Sequence, residues 1–109
     1  MSLDALADRL REFAAARDWG PYHTPKNLVM AMSGEVGEVT ELFQWLTPAE
    51  SANAMADPKL AADIADELAD VLLYLVQLAD VLGVDLIKAA NDKMDRNEHR
   101  FPKPGDVTG

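Results

Sequence analysis

The chain has 109 residues, no cysteine and a formal charge of −9, with 49% of its residues apolar. That length accommodates one domain with a modest core, and the apolar fraction belongs to a folded rather than a disordered chain. The lack of cysteine excludes a disulfide framework, thiol catalysis and a thiolate metal site. The acidic balance excludes a nucleic-acid polymer as partner, because a phosphate backbone would be repelled. A small phosphorylated substrate stays compatible with it, provided a metal ion supplies positive charge.

Met1-Ser2-Leu3-Asp4 has neither a basic segment nor an apolar core, so no secretory signal is expected. The longest apolar run, 71–84, is interrupted by Gln77 and Asp80 and is shorter than the roughly 20 residues a bilayer crossing needs. The expectation is a cytoplasmic protein with no membrane partner.

Ser2 can cap a first helix whose buried stripe is Leu3, Leu6, Leu10 and Phe13. It ends near Asp18-Trp19-Gly20-Pro21, where Gly-Pro breaks the helix. Trp19 and Tyr22 in that connection either seal the core edge or face a ligand. Three helix starts then share one form, a capping residue followed by proline: Thr24-Pro25, Thr47-Pro48 and Asp57-Pro58. Proline at the first helical position loses nothing by lacking an N–H. These starts predict a second helix over 25–46, a short helical turn or loop over 48–56, and a third helix over 58–82 stopped by Gly83. Asp85 caps a fourth helix over 86–100. No strand signal is present. The reading is an all-α, four-helix-bundle-type domain over 1–101 with a flexible tail over 102–109. The third helix is apolar around most of its circumference from Leu68 to Leu82, so association between chains is expected, most simply as a symmetric dimer.

Two acidic pairs stand out. Glu35 and Glu38 are three residues apart, and so are Glu67 and Asp70; such residues lie on one helical face about a turn apart. The acidic row of each helix runs one residue before an apolar row: Met32, Val36, Val39 and Phe43 in the second helix, and Ile64, Leu68, Val71 and Leu75 in the third. Packing the apolar rows together brings both acidic rows to the edge of one seam. Most acidic helical rows are merely solvated faces. Carboxylates converging beside a buried seam instead raise one another's pKa unless a cation lies between them. Mg²⁺ prefers oxygen ligands and commonly sits between carboxylates and substrate phosphates.

On the fourth helix Lys93, Asn97 and Arg100 share one face, which reads equally as a phosphate-binding row or as an ordinary basic C-terminus. A di-iron bundle site requires Glu-x-x-His pairs. Neither His23 nor His99 has a Glu three residues before it. No Gly-rich phosphate loop, Gly-x-Ser-x-Gly elbow or zinc spacing occurs.

Glu35-x-x-Glu38 followed by Glu67-x-x-Asp70 resembles the signature of the MazG-like all-α nucleoside triphosphate pyrophosphohydrolases, nearest the dCTP pyrophosphatase branch. The resemblance extends over 13–102 and includes Trp19, Tyr22-His23, Pro25-Lys26-Asn27-Leu28, Glu41-Leu42-Phe43-Gln44-Trp45, Tyr74 and Lys93-Met94. It implies Mg²⁺-dependent hydrolysis (Mn²⁺ being a possible substitute) of a (deoxy)nucleoside triphosphate to monophosphate and pyrophosphate. The substrate would be dCTP or a modified dCTP, and the role removal of unwanted nucleotides. It makes Glu35, Glu38, Glu67 and Asp70 the metal ligands, with Glu35 or Glu38 as the base. Trp45, Tyr74, Lys93 and Asn97 would line the nucleotide pocket, and so would Trp19, reached from within the chain or from a neighbouring subunit. Homodimers, or homotetramers built from them, are implied as well. Two departures bear on the base: Leu10 stands where some dCTP-preferring relatives carry a His, and Phe101 where a Tyr is usual. The competing reading is a non-catalytic helical dimerisation module with a structural divalent cation.

Overall fold

Each helix begins at a residue able to satisfy its free N–H groups. In the computed structural model, which describes residues 2–105, Ser2 caps α1 (Leu3–Ala16) by accepting from the Ala5 N–H. Thr24 accepts from Asn27 at the start of α2 (Pro25–Phe43). Thr47 opens α3 (Pro48–Ala52) with a reciprocal capping box, its hydroxyl accepting from Glu50 N–H while the Glu50 carboxylate accepts from Thr47 N–H. Asp57 accepts from both Lys59 and Leu60 N–H at the head of α4 (Pro58–Leu82). Asp85 accepts from Lys88 N–H to start α5 (Leu86–Arg100). All five caps leave little doubt in the chain about where a helix should begin.

The ends are equally local in origin. At the end of α1, Trp19 N–H reaches back to the Ala14 carbonyl at 3.0 Å, with Asp18 at φ 54° in the left-handed region. Aspartate tolerates that region better than most non-glycine residues. The closure aims Trp19 back along α1, where its ring meets Phe13 edge-on at 5.4 Å. Gly83 ends α4 at φ 72°, and Val84 N–H closes onto the Ala79 carbonyl at 2.9 Å. α2 stops at Phe43, earlier than the expected 46, because Leu46 N–H turns onto the Phe43 carbonyl instead of continuing the ladder. Pro48, two residues further on, would in any case have ended it.

α1 and α2 pack against α4. Its most extensive contact is with α2, and α1 lies against another face with a slighter contact. Leu28 of α2 and Ile64, Val76 and Ala79 of α4 are the buried centre of this arrangement. Arg11 of α1 donates from Nε to Asp80 of α4 at 2.8 Å, fixing the crossing of the two helices at that level. Among the described residues all regular structure is helical, as expected. No helix among them is long and apolar enough to cross a membrane. Of the tail expected over 102–109, residues 102–103 carry no regular structure and 104–105 form a turn with Gly105 at φ 101°; 106–109 lie outside the described residues.

Candidate active site

The seam between α2 and α4 carries the acidic residues as the spacing required. Glu35 of α2 and Glu67 and Asp70 of α4 each bring a carboxylate oxygen within 4.8 Å of the others. All three are half-buried. Glu67 Oε2 is buried with no hydrogen-bond partner. An ionised carboxylate offers only acceptors, so three of them facing one another cannot satisfy each other without a proton or a cation. The protein alone resolves the conflict with a proton. Glu67 is pushed up from an ordinary 4.5 to about 7, first by sharing that proton with the facing Glu35, then by desolvation, then by the charges of Glu35, Glu38 and Asp70. Hard oxygen donors, an unpaired buried oxygen and a retained proton together make a set that fits a divalent cation of the Mg²⁺ type.

Glu38 is exposed and lies outside this trio, although its charge still reaches Glu67. Residues three apart differ by about 60° around a helix. When Glu35 points into the seam, Glu38 therefore sits on its rim.

A cavity of about 430 Å³ opens from the trio between α1 and α4. Glu35 and Asp70 form its acidic end; Leu10, Phe13, Trp19 and Tyr74 supply much of its apolar wall. Trp19 is 44% exposed, so its ring borders the opening as well as the wall. Carboxylates and flat aromatic side chains thus line one space.

Of the residues singled out from the sequence, Glu35, Asp70, Trp19 and Tyr74 border this cavity, and Glu67 adjoins it through the carboxylate trio. Trp45 is 86% exposed just beyond α2. Lys93 is exposed and Asn97 half-buried on α5; neither borders the cavity formed within one chain. Conversely, Arg9, His23 and Gln77 do border it and were not anticipated there. Leu10 and Phe13 had been assigned to a core stripe and prove to be cavity wall. The one available signal was Gln77, a lone amide interrupting an apolar run.

The chain matches the MazG-like family over residues 30–106. It is 52% identical over 91 residues to dCTP pyrophosphatase 1 of Rattus norvegicus, and 50% identical to that of Homo sapiens. Those alignments cover 84% of this chain and 54% of the relatives, so the chain spans about half the length of the curated relatives it matches. Its fold also matches the crystal structure of a pyrophosphatase from Archaeoglobus fulgidus, with a TM-score of 0.84, 42% identity and 92% of both chains covered. Sequence, fold and acidic seam agree: the chain belongs to the MazG-like family.

Proposed function

We propose that this domain hydrolyses a deoxynucleoside triphosphate, dCTP or a modified dCTP first among them, to the monophosphate and pyrophosphate. The observation that carries the reading is a carboxylate trio two of whose members line a cavity that Phe13, Trp19 and Tyr74 also line. The likeness to dCTP pyrophosphatase 1 supports the choice of nucleotide.

Glu35, Glu67 and Asp70 would hold the ion, with Glu38 beside them. When bound, Mg²⁺ supplies the positive charge that neutralises the phosphates and the charge developing on the leaving group. The residues do the rest. Glu38, on the rim and outside the trio, takes a proton from water as the water oxygen bonds to the α-phosphorus. The bond from that phosphorus to the bridging oxygen breaks, and pyrophosphate leaves with the electron pair. Arg9, at the cavity wall, is placed to meet phosphate oxygens with a planar donor set. Trp19 and Tyr74 wall the base and sugar.

We infer further that the working unit is an oligomer. The chain exposes 8455 Å², whereas a folded monomer of 11.9 kDa exposes about 5,900 Å². The excess is of the size that permanent homo-oligomers bury. The radius of gyration, 17.9 Å, likewise exceeds the roughly 13 Å of a compact chain of this length. Leu68, Leu72, Ile87 and Met94 are among the large apolar side chains left 40% or more exposed. A concentration-independent monomer in light scattering would contradict this.

The activity is tested by pyrophosphate release from a panel of nucleoside triphosphates, with Mg²⁺ and with chelator, against a folded Glu38→Gln control. The expected result is Mg²⁺-dependent pyrophosphate release from one or a few nucleotides, lost in the control. Orthophosphate release alone would place the attack at another phosphorus. A protein stabilised by the ion alone, hydrolysing nothing and indifferent to a non-hydrolysable triphosphate, would be the structural module instead.

A further inference from the structure

The aromatic part of the cavity wall has little behind it. Phe13 and Trp19 are 43% and 44% exposed, and no residue of α1, which carries the first and leads into the second, is buried. Packing into a core therefore does not fix these rings. They are fixed by one another. Phe13 meets Trp19 edge-on at 5.4 Å, Trp19 meets His23 at 6.1 Å, and all three border the cavity. The His23 end of this row is tied down by backbone. Tyr22 N–H donates to the Trp19 carbonyl and His23 N–H to the Gly20 carbonyl, while Asn27 of α2 donates from Nδ2 to the Tyr22 carbonyl at 3.0 Å. The other end of the row stops at Arg17. Its guanidinium carbon lies 3.6 Å from the centre of the Phe13 ring, and Nη1 donates to the Phe13 carbonyl at 3.1 Å. The Arg17 N–H, which a continuing helix would give to that carbonyl, closes onto Ala14 instead. A cation there meets a helix-end acceptor and the negative end of the helix dipole together. Arg17 is thus held at two points, and it does not itself border the cavity.

We infer that Arg17 is a positioning residue for Trp19. Its planar guanidinium fixes the Phe13 ring, and the Phe13 ring fixes the tilt of the indole at the cavity opening. A guanidinium stacks in a plane on an aromatic face, which a lysine ammonium does not reproduce, so the role requires arginine and not merely positive charge. The inference rests on the nucleotide reading for its effect on substrate, and on the geometry alone for its effect on the indole.

The test compares wild type with Arg17→Ala, with Arg17→Lys, which keeps the charge, and with Phe13→Leu alone and combined with Arg17→Ala. Thermal melts establish that each variant is folded. Kinetics are measured with Trp45 intact. Emission is measured in a Trp45→Phe background, where Trp19 is the only tryptophan, and its wavelength and acrylamide quenching report on the ring without nucleotide. The expected result is red-shifted, more readily quenched emission in both Arg17 variants, with KM for the triphosphate raised about two- to fivefold and kcat unchanged. In the Phe13→Leu background Arg17→Ala should add nothing, because the ring it acts through is gone. Arg17→Lys matching wild type would show that charge alone matters and would overturn the assignment. Unaltered Trp19 emission, a fall in kcat, or an Arg17→Ala effect that persists without Phe13 would overturn it too. If wild type releases no pyrophosphate, the proposed activity fails on its own. The emission of the single and double variants then still decides whether Arg17 positions Trp19.

Discussion

The retained proton at Glu67 makes a quantitative prediction about metal binding. Glu67 sits at about 7 in the folded protein against an ordinary 4.5. A metal ion and that proton compete for the same oxygens, so binding releases the proton. Below pH 7 the affinity should fall by close to tenfold per pH unit. At pH 5.5 Glu67 should be mostly protonated, and the dissociation constant more than about tenfold weaker than its plateau above pH 8. Calorimetric titration with Mg²⁺ or Mn²⁺ from pH 5.5 to 8.5 measures this directly. Glu67→Gln should bind more weakly at pH 8 and lose most of the slope. The stability of the metal-free protein should run the other way. With its folded pKa raised, Glu67 holds its proton more firmly when folded than when unfolded between pH 4.5 and 7. Its contribution is therefore fully present below 4.5 and is lost as pH rises through 7. Glu67→Gln should lose this contribution to the pH dependence, and added metal should restore stability most above pH 7. An affinity independent of pH in wild type, or an unchanged slope in Glu67→Gln, would refute the shared-proton account.

Other perturbations have equally specific outcomes. Leu28 is 2% exposed, so Leu28→Ala should destabilise by about 2–5 kcal/mol in denaturant melts. Gly83→Ala should cost about 1 kcal/mol, all of it from the left-handed backbone at φ 72°, since a Cβ there meets nothing within 4 Å. Trp19→Ala should raise KM by about five- to tenfold with kcat little changed, because the ring borders the cavity away from the trio. Lys93 lies off the cavity of its own chain. If a neighbouring copy's α5 completes the site, mixing inactive Lys93→Ala with inactive Glu38→Gln should restore part of the activity, and mixtures no more active than either parent would count against shared sites.

The local syntax of the fold was legible in the sequence. Each Thr-Pro or Asp-Pro start became a capped helix, and Gly83 stopped α4, because caps and left-handed stops are decided by a few adjacent residues. The acidic seam was legible for a related reason. Two i, i+3 pairs, each one residue ahead of an apolar row, leave few ways to pack two helices. The division of labour between Glu35 and Glu38 was not, because which member of a pair faces inward depends on the rotation of α2 against α4. The cavity was least legible. Leu6, Leu10 and Phe13 make the same stripe whether they fill a core or line a space, and only the crossing of α1 over α4 distinguishes the two. Arg9 and Gln77 border that one space from positions far apart in the chain.

The site is unequal in its support. Its acidic end is carried by α2 and α4, the most extensively packed pair of helices, and both begin at capped prolines. Helices held this way cannot swing apart to relieve the repulsion between Glu35, Glu67 and Asp70, so the free protein keeps a proton there instead. The same rigidity leaves the ligand oxygens already gathered, and an ion that displaces the proton needs little rearrangement to bind. The apolar wall of the cavity is different. It is supplied largely by α1, whose contact with α4 is slighter and whose link through Arg11 and Asp80 lies toward the surface. A wall held so lightly can change its side chains, or its distance from α4, without disturbing the carboxylates. A change at Leu10 therefore reshapes the cavity wall and leaves Glu35, Glu67 and Asp70 in place.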